Sequence, residues 1–134
     1  MGRIIHQQNP KLMKQAIQLF VFLLLITGTA LANKTSVTIE APKEAQKGQE
    51  ITITLHVKHN GNNFLHHTDW VKLKVNGELI KEWDYKKDRP DSENFDLTYK
   101  IKVEKDLNLE AEGHCNNHGT KNTAQHTIKL TDKL

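Results

Sequence analysis

Cys115-Asn116-Asn117-His118-Gly119 sets a thiol and an imidazole three residues apart and closes them with a glycine. A soft sulfur and a borderline nitrogen at that spacing hold one transition metal through a tight turn. The thiol is the only one in the sequence. A second group of donors lies upstream, in His59-Asn60-Gly61-Asn62-Asn63-Phe64-Leu65-His66-His67. A thiolate combined with several imidazoles suits iron, copper or zinc. The alternative reading is that histidines populate polar loops and Cys115 is a small buried hydrophobe. Any one of these residues alone fits that alternative. Together, His59, His66, His67, Cys115 and His118 argue for a metal.

Such a site needs strands that end together. Val37, Ile39 and Ala41 share one phase, and Pro42 and Gly48 bracket a polar turn. Ile51, Ile53, Leu55 and Val57 then alternate with Thr52, Thr54, His56 and Lys58, the period-two pattern of a half-buried strand. This phase puts His59 on the apolar face and His56 on the other. Val71, Leu73 and Val75 alternate with lysines and run into Asn76-Gly77, a two-residue hairpin signal. A return strand follows from Leu79 to Tyr85, then a charged loop from Lys86 to Asn94 containing Pro90. Phe95 to Val103, Leu107 to Cys115 and Ala124 to Leu130 alternate in the same way. Cys115 falls on the apolar face of its strand and His114 on the opposite one. Seven strands, and no amphipathic helix after residue 33, predict an all-β, immunoglobulin-like antiparallel β-sandwich. Strand ends gather at one rim of such a fold, where loops build sites on a rigid scaffold.

The first 32 residues read as a signal peptide. Arg3, Lys11 and Lys14 form a basic stretch, Ile17 to Ile26 is apolar apart from Gln18, and Ala30-Leu31-Ala32 has the small-x-small form of a cleavage site. The apolar run is short for a membrane span, with a retained anchor as the alternative. The expected mature domain, residues 33–134, is long enough for one core. Those three basic residues account for the formal charge of +3, so the remaining Lys and Arg equal the 16 Asp and Glu. A neutral domain argues against nucleic acid or a membrane surface as partner after cleavage. Export, with a periplasmic destination expected, also bears on the thiol. A lone cysteine in an oxidising compartment is buried, paired with another chain, or protected by a metal.

Cys115-Asn116-Asn117-His118-Gly119 resembles the C-N-x-H-G motif of the superoxide reductases, the desulfoferrodoxin and neelaredoxin family. His59 followed by His66-His67-Thr68-Asp69-Trp70-Val71-Lys72-Leu73 resembles that family's second motif, in which a histidine, a short loop and His-x-x-x-aromatic lead into an apolar strand. The resemblance spans roughly Ile51 to Gly119. It implies an immunoglobulin-like sandwich and one iron (Fe2+/Fe3+) per chain. In the family four equatorial histidines and an axial cysteine thiolate hold that iron. The sixth position takes superoxide, which is reduced by one electron to hydrogen peroxide, and an electron donor, here unidentified, is required. By position, His59, His66 and His118 correspond to equatorial ligands and Cys115 to the axial one.

The chain also departs from that pattern. The family's first histidine lies in a Glu-Lys-His stretch, and no histidine occurs between Asn33 and Leu55. The loop from His59 to His66 is one residue longer, with Asn60 in place of a proline, and no amino-terminal cysteine cluster is present. A fourth nitrogen is expected from His67 first and His126 second. Lys58 is either a stand-in for the family's lysine or a solvated strand residue. The runner-up function is a non-catalytic copper, zinc or iron carrier.

Overall fold

The computed structural model describes residues 10–27 and 34–131. They belong to two units, Met1–Leu31 and Ala32–Leu134. In the first, Pro10–Thr27 forms a helix, α1. No helix among the described residues is long and apolar enough to cross a membrane. The expected cleavage site at Ala30-Leu31-Ala32 lies outside the described residues.

Among its described residues the second unit contains eight strands: β1 (Ser36–Glu40), β2 (Glu44–Gln46), β3 (Glu50–Lys58), β4 (Thr68–Val75), β5 (Glu78–Asp84), β6 (Asn94–Lys102), β7 (Leu107–Cys115) and β8 (Thr123–Thr131). They form two sheets, ordered β1-β3-β6 and β2-β8-β7-β4-β5. The sandwich expected from the alternation is therefore present. Its strand count differs by β2, which falls inside the stretch read as a polar turn. With three residues, β2 is too short to show a period, and it pairs parallel to β8 with Ala45 opposite Leu130. Ala45 is nonetheless buried.

The core lies between the inner faces. β3 contributes Ile51, Ile53, Leu55 and Val57, β4 contributes Val71, Leu73 and Val75, and β7 contributes Leu107, Leu109 and Ala111. Apolar burial of this kind stabilises by about 1.5–3 kcal/mol per large aliphatic side chain. The β4–β5 hairpin closes through Asn76 (φ 51°) and Gly77 (φ 84°), both in the left-handed region that its turn type requires.

The two sheets are drawn together at one end. A Cβ on Gly113 would stand 2.5 Å from Thr35 Cγ2 and 2.9 Å from Val37 Cγ2, so only glycine lets β7 lie this close to the start of β1. There Thr35 Oγ1 and Thr68 Oγ1 share a buried hydrogen bond of 3.1 Å, and the Lys121 N–H donates to the Thr35 carbonyl.

The outer face of the three-stranded sheet carries its own charge cluster. His56 Nδ1 is 2.7 Å from Asp96 Oδ1, and Nε2 is 2.8 Å from Glu40 Oε2. Hydrogen bonds to Asp96 and then to Glu40 raise the His56 pKa above 6.5. Protonated His56 thus stabilises the fold fully below that ordinary value, and the contribution fades as pH rises through the raised folded value. The denaturant midpoint is expected to fall with pH across this window, and less so in His56→Gln. An identical slope in both proteins would contradict the assignment.

Candidate metal centre

Two core rows run into the site. The inward phase of β3, Ile51 to Val57, continues to His59, which is fully buried. The inward phase of β7, Leu107 to Ala111, continues through Gly113 to Cys115, also fully buried. His114 takes the outer face and stacks on Trp70, with ring centroids 4.9 Å apart and planes 8° from parallel.

The turn after β7 is closed by reciprocal bonds of 3.0 Å between the backbones of Cys115 and Gly119. Gly119 has φ 78°, which places the chain reversal one residue after His118. The loop between β3 and β4 is pinned across to this turn. The Asn117 side-chain amide donates to the Leu65 carbonyl at 2.9 Å, and that of Asn116 donates to the same oxygen at 3.2 Å. Asn116 Oδ1 accepts the His67 N–H at 3.0 Å, and the Asn116 N–H donates to the His67 carbonyl at 3.1 Å. Within the loop, Asn63 Oδ1 accepts the His66 N–H at 3.0 Å. These restraints fix His66 and His118 on facing loops.

The result is one cluster. Ligand atoms of His59, His66 and Cys115 all lie within 4.8 Å of one another. The His59 and His66 ring centroids are 4.5 Å apart, and the His66 and His118 centroids 4.7 Å apart. His66 Nε2 is 2.8 Å from His118 Nδ1, and Cys115 Sγ is 3.9 Å from the same nitrogen. Donors sharing one ion through bonds of about 2.0–2.3 Å stand about 3–4.6 Å apart. The 3.9 Å spacing falls inside that range, while 2.8 Å lies just below it and the 4.8 Å limit just above it, and imidazoles with one thiol are the donor chemistry of a borderline transition metal. The Asn117 N–H donates to Cys115 Sγ at 3.4 Å and so orients the sulfur.

The remaining candidates lie elsewhere. His67, adjacent to His66, turns away from the cluster and lines a surface cavity with Phe64, Lys86, Lys87 and Arg89. His126 has the expected inward phase, but it pairs with Leu109, six residues before Cys115 on β7. At about 3.4 Å per residue that is about 20 Å from the thiol. Its Nε2 instead meets the Pro42 carbonyl at 3.0 Å. His56 occupies the outer face as the alternation requires, and Lys58 is exposed. Among the described residues the cluster therefore holds three mutually close donors, His59, His66 and Cys115, with His118 against two of them, His66 and Cys115.

Sequence reading missed the supports. Asn62 donates to the carbonyls of Pro90 and Ser92, Gly61 N–H donates to Glu93 Oε1, and His59 N–H donates to the Glu93 carbonyl. These bonds tie the β3–β4 loop to the β5–β6 loop. The available signal was the density of asparagine around both donor segments, a residue that satisfies loop backbone groups through its own amide.

The family model described as desulfoferrodoxin matches residues 27–124. Among solved structures, the fold is similar to that of the superoxide reductase (neelaredoxin) from Ignicoccus hospitalis, with a TM-score of 0.65 at 23% identity over 78% of this chain and 87% of that one. It is also similar to the CARDB domain of a Pyrococcus furiosus protein solved in complex with di-metal ions, with a TM-score of 0.59 at 18% identity over 76% of this chain and 97% of that one. No curated protein matches the sequence.

Proposed function

We propose, on the premise that this chain belongs to the desulfoferrodoxin family, that it is an exported mononuclear iron protein of the superoxide reductase type. The observation that carries the proposal is the convergence of His59, His66 and Cys115 within 4.8 Å, with His118 beside them. These four residues would hold the iron. The chemistry an iron ion supplies there is transfer of one electron to superoxide, which takes up two protons and leaves as hydrogen peroxide.

The chain's own groups divide the remaining tasks. His59 and Cys115, both fully buried, close the inner side of the site to water. His118 is exposed and marks the side from which a small anion arrives. The Asn117 N–H, at 3.4 Å from the sulfur, holds the thiolate and tempers its electron donation. An external donor returns the electron. The presequence directs the chain out of the cytoplasm, with a periplasmic destination proposed, and is removed after Ala32.

A second reading has one observation in its favour. His59, His66 and Cys115 with the adjoining His118, one short of the family's five ligands, also suit a carrier that holds copper or zinc without turnover. Anaerobic reconstitution with ferrous iron, followed by stopped-flow mixing with superoxide, separates the two. One iron per chain and a reaction far faster than that of free ferrous ion are expected. Stoichiometric metal with no such reaction leaves the carrier, and failure to bind iron removes the proposal.

A further inference from the structure

The β5–β6 connection presents Lys86, Lys87 and Arg89 to a surface cavity of ≈ 240 Å³ completed by Phe64 and His67. Four other lysines of the sandwich are ion-paired, Lys72 with Glu82, Lys100 with Glu50, Lys102 with Glu104 and Lys129 with Asp106; what sets Lys86, Lys87 and Arg89 apart is that they share one cavity. Among the described residues, Lys86, Lys87 and Arg89 form no ion pair. The nearby carboxylates are engaged differently. Asp84 Oδ1 accepts the Lys86 N–H, and Glu93 Oε1 accepts the Gly61 N–H. Asp88 and Asp91 are exposed and do not line the cavity.

Three like charges around one hollow repel one another, and an anion between them relieves that repulsion. A guanidinium adds a planar pair of N–H donors matched to a carboxylate or phosphate. The volume exceeds what a bare oxyanion fills, since one water occupies about 30 Å³. Phe64, 80% exposed, offers an aromatic surface for the rest of a ligand. The loop backbone on either side of the cavity is held by the bonds from Asn62 to Pro90 and Ser92 and from Asn116 and Asn117 to Leu65, which leaves the exposed side chains of Lys86, Lys87, Arg89 and Phe64 to be ordered on binding.

We infer that this cavity binds a small organic oxyanion, its carboxylate or phosphate head held by Arg89, Lys86 and Lys87 and its carbon portion lying on Phe64. The site is separate from the Cys115 cluster and needs no metal. The test is an NMR titration of the full chain, dialysed free of metal at low ionic strength, with benzoate and in parallel with inorganic phosphate. Benzoate is expected to give saturable shifts at the amides of His67 and residues 86–89. Arg89→Gln is expected to weaken it about tenfold, the effect of losing one charge-assisted contact. Phe64→Ser is expected to weaken benzoate while leaving phosphate unchanged. Absence of saturable shifts in the wild-type chain overturns the inference, as does equal affinity in Arg89→Gln. Shifts that arise only after metal loading, at His66 and His118, also overturn it, because they put the anion at the metal.

Discussion

Replacing Cys115 by Ser is expected to eliminate the thiolate-to-iron charge-transfer band of the reconstituted protein and to weaken iron binding by more than about 100-fold. That figure exceeds the loss seen when only an outer partner of a ligand is removed. The sulfur is the single soft donor in the cluster and sits at the end of a rigid strand, so no neighbouring side chain replaces it. The fold should survive. The bonds closing the turn run between the backbones of Cys115 and Gly119, and serine is close in volume. Burying a hydroxyl in place of a thiol costs about 1–3 kcal/mol, visible as a lower denaturant midpoint. Absorbance spectroscopy and metal analysis on the folded variant decide the matter. A Cys115→Ser protein that keeps both the band and one iron per chain would show that the thiolate is not a ligand.

His66→Ala and His67→Ala, compared side by side, are expected to diverge by about two orders of magnitude in iron affinity, the scale of a lost ligand against an uninvolved neighbour. His66 stands between His59 and His118, with Nε2 at 2.8 Å from His118 Nδ1, so its loss opens the centre of the cluster. His67 faces the cavity of Lys86, Lys87 and Arg89. The backbone bonds between Asn63 and His66 persist in either variant, so the comparison isolates the rings. Competition with a chelator of known affinity gives both constants. Equal losses would make His67 the fourth nitrogen that the family pattern calls for.

What could be read in advance depended on which physical signal each residue carries. Alternation along β3 and β7 correctly set His59 and Cys115 inward and His56 and His114 outward, because side-chain period in a strand is fixed by the pleat. Asn76-Gly77 was equally legible, because its turn demands positive φ. Phase reports a face, however, and not a height along the strand. That is why His126, in phase with Ile128 and Leu130, belonged among the candidates and yet pairs opposite Leu109, far from the rim. Loop residues carry no period at all, so only the family motif distinguished His66 from His67, and the asparagine contacts that hold the loop against the Cys115 turn were not legible. β2 escaped for a related reason: three residues cannot display alternation, and its pairing with β8 is long-range.

The two core rows that end in His59 and Cys115 have an evolutionary consequence. Each position is the last rung of an otherwise aliphatic ladder, so a single codon change to an apolar residue would turn it into ordinary interior and leave the sandwich intact. The centre is thus easily lost and, in a scaffold with such rows, easily gained. Purifying selection on this pair would therefore report chemistry, since folding alone is better served by valine and leucine.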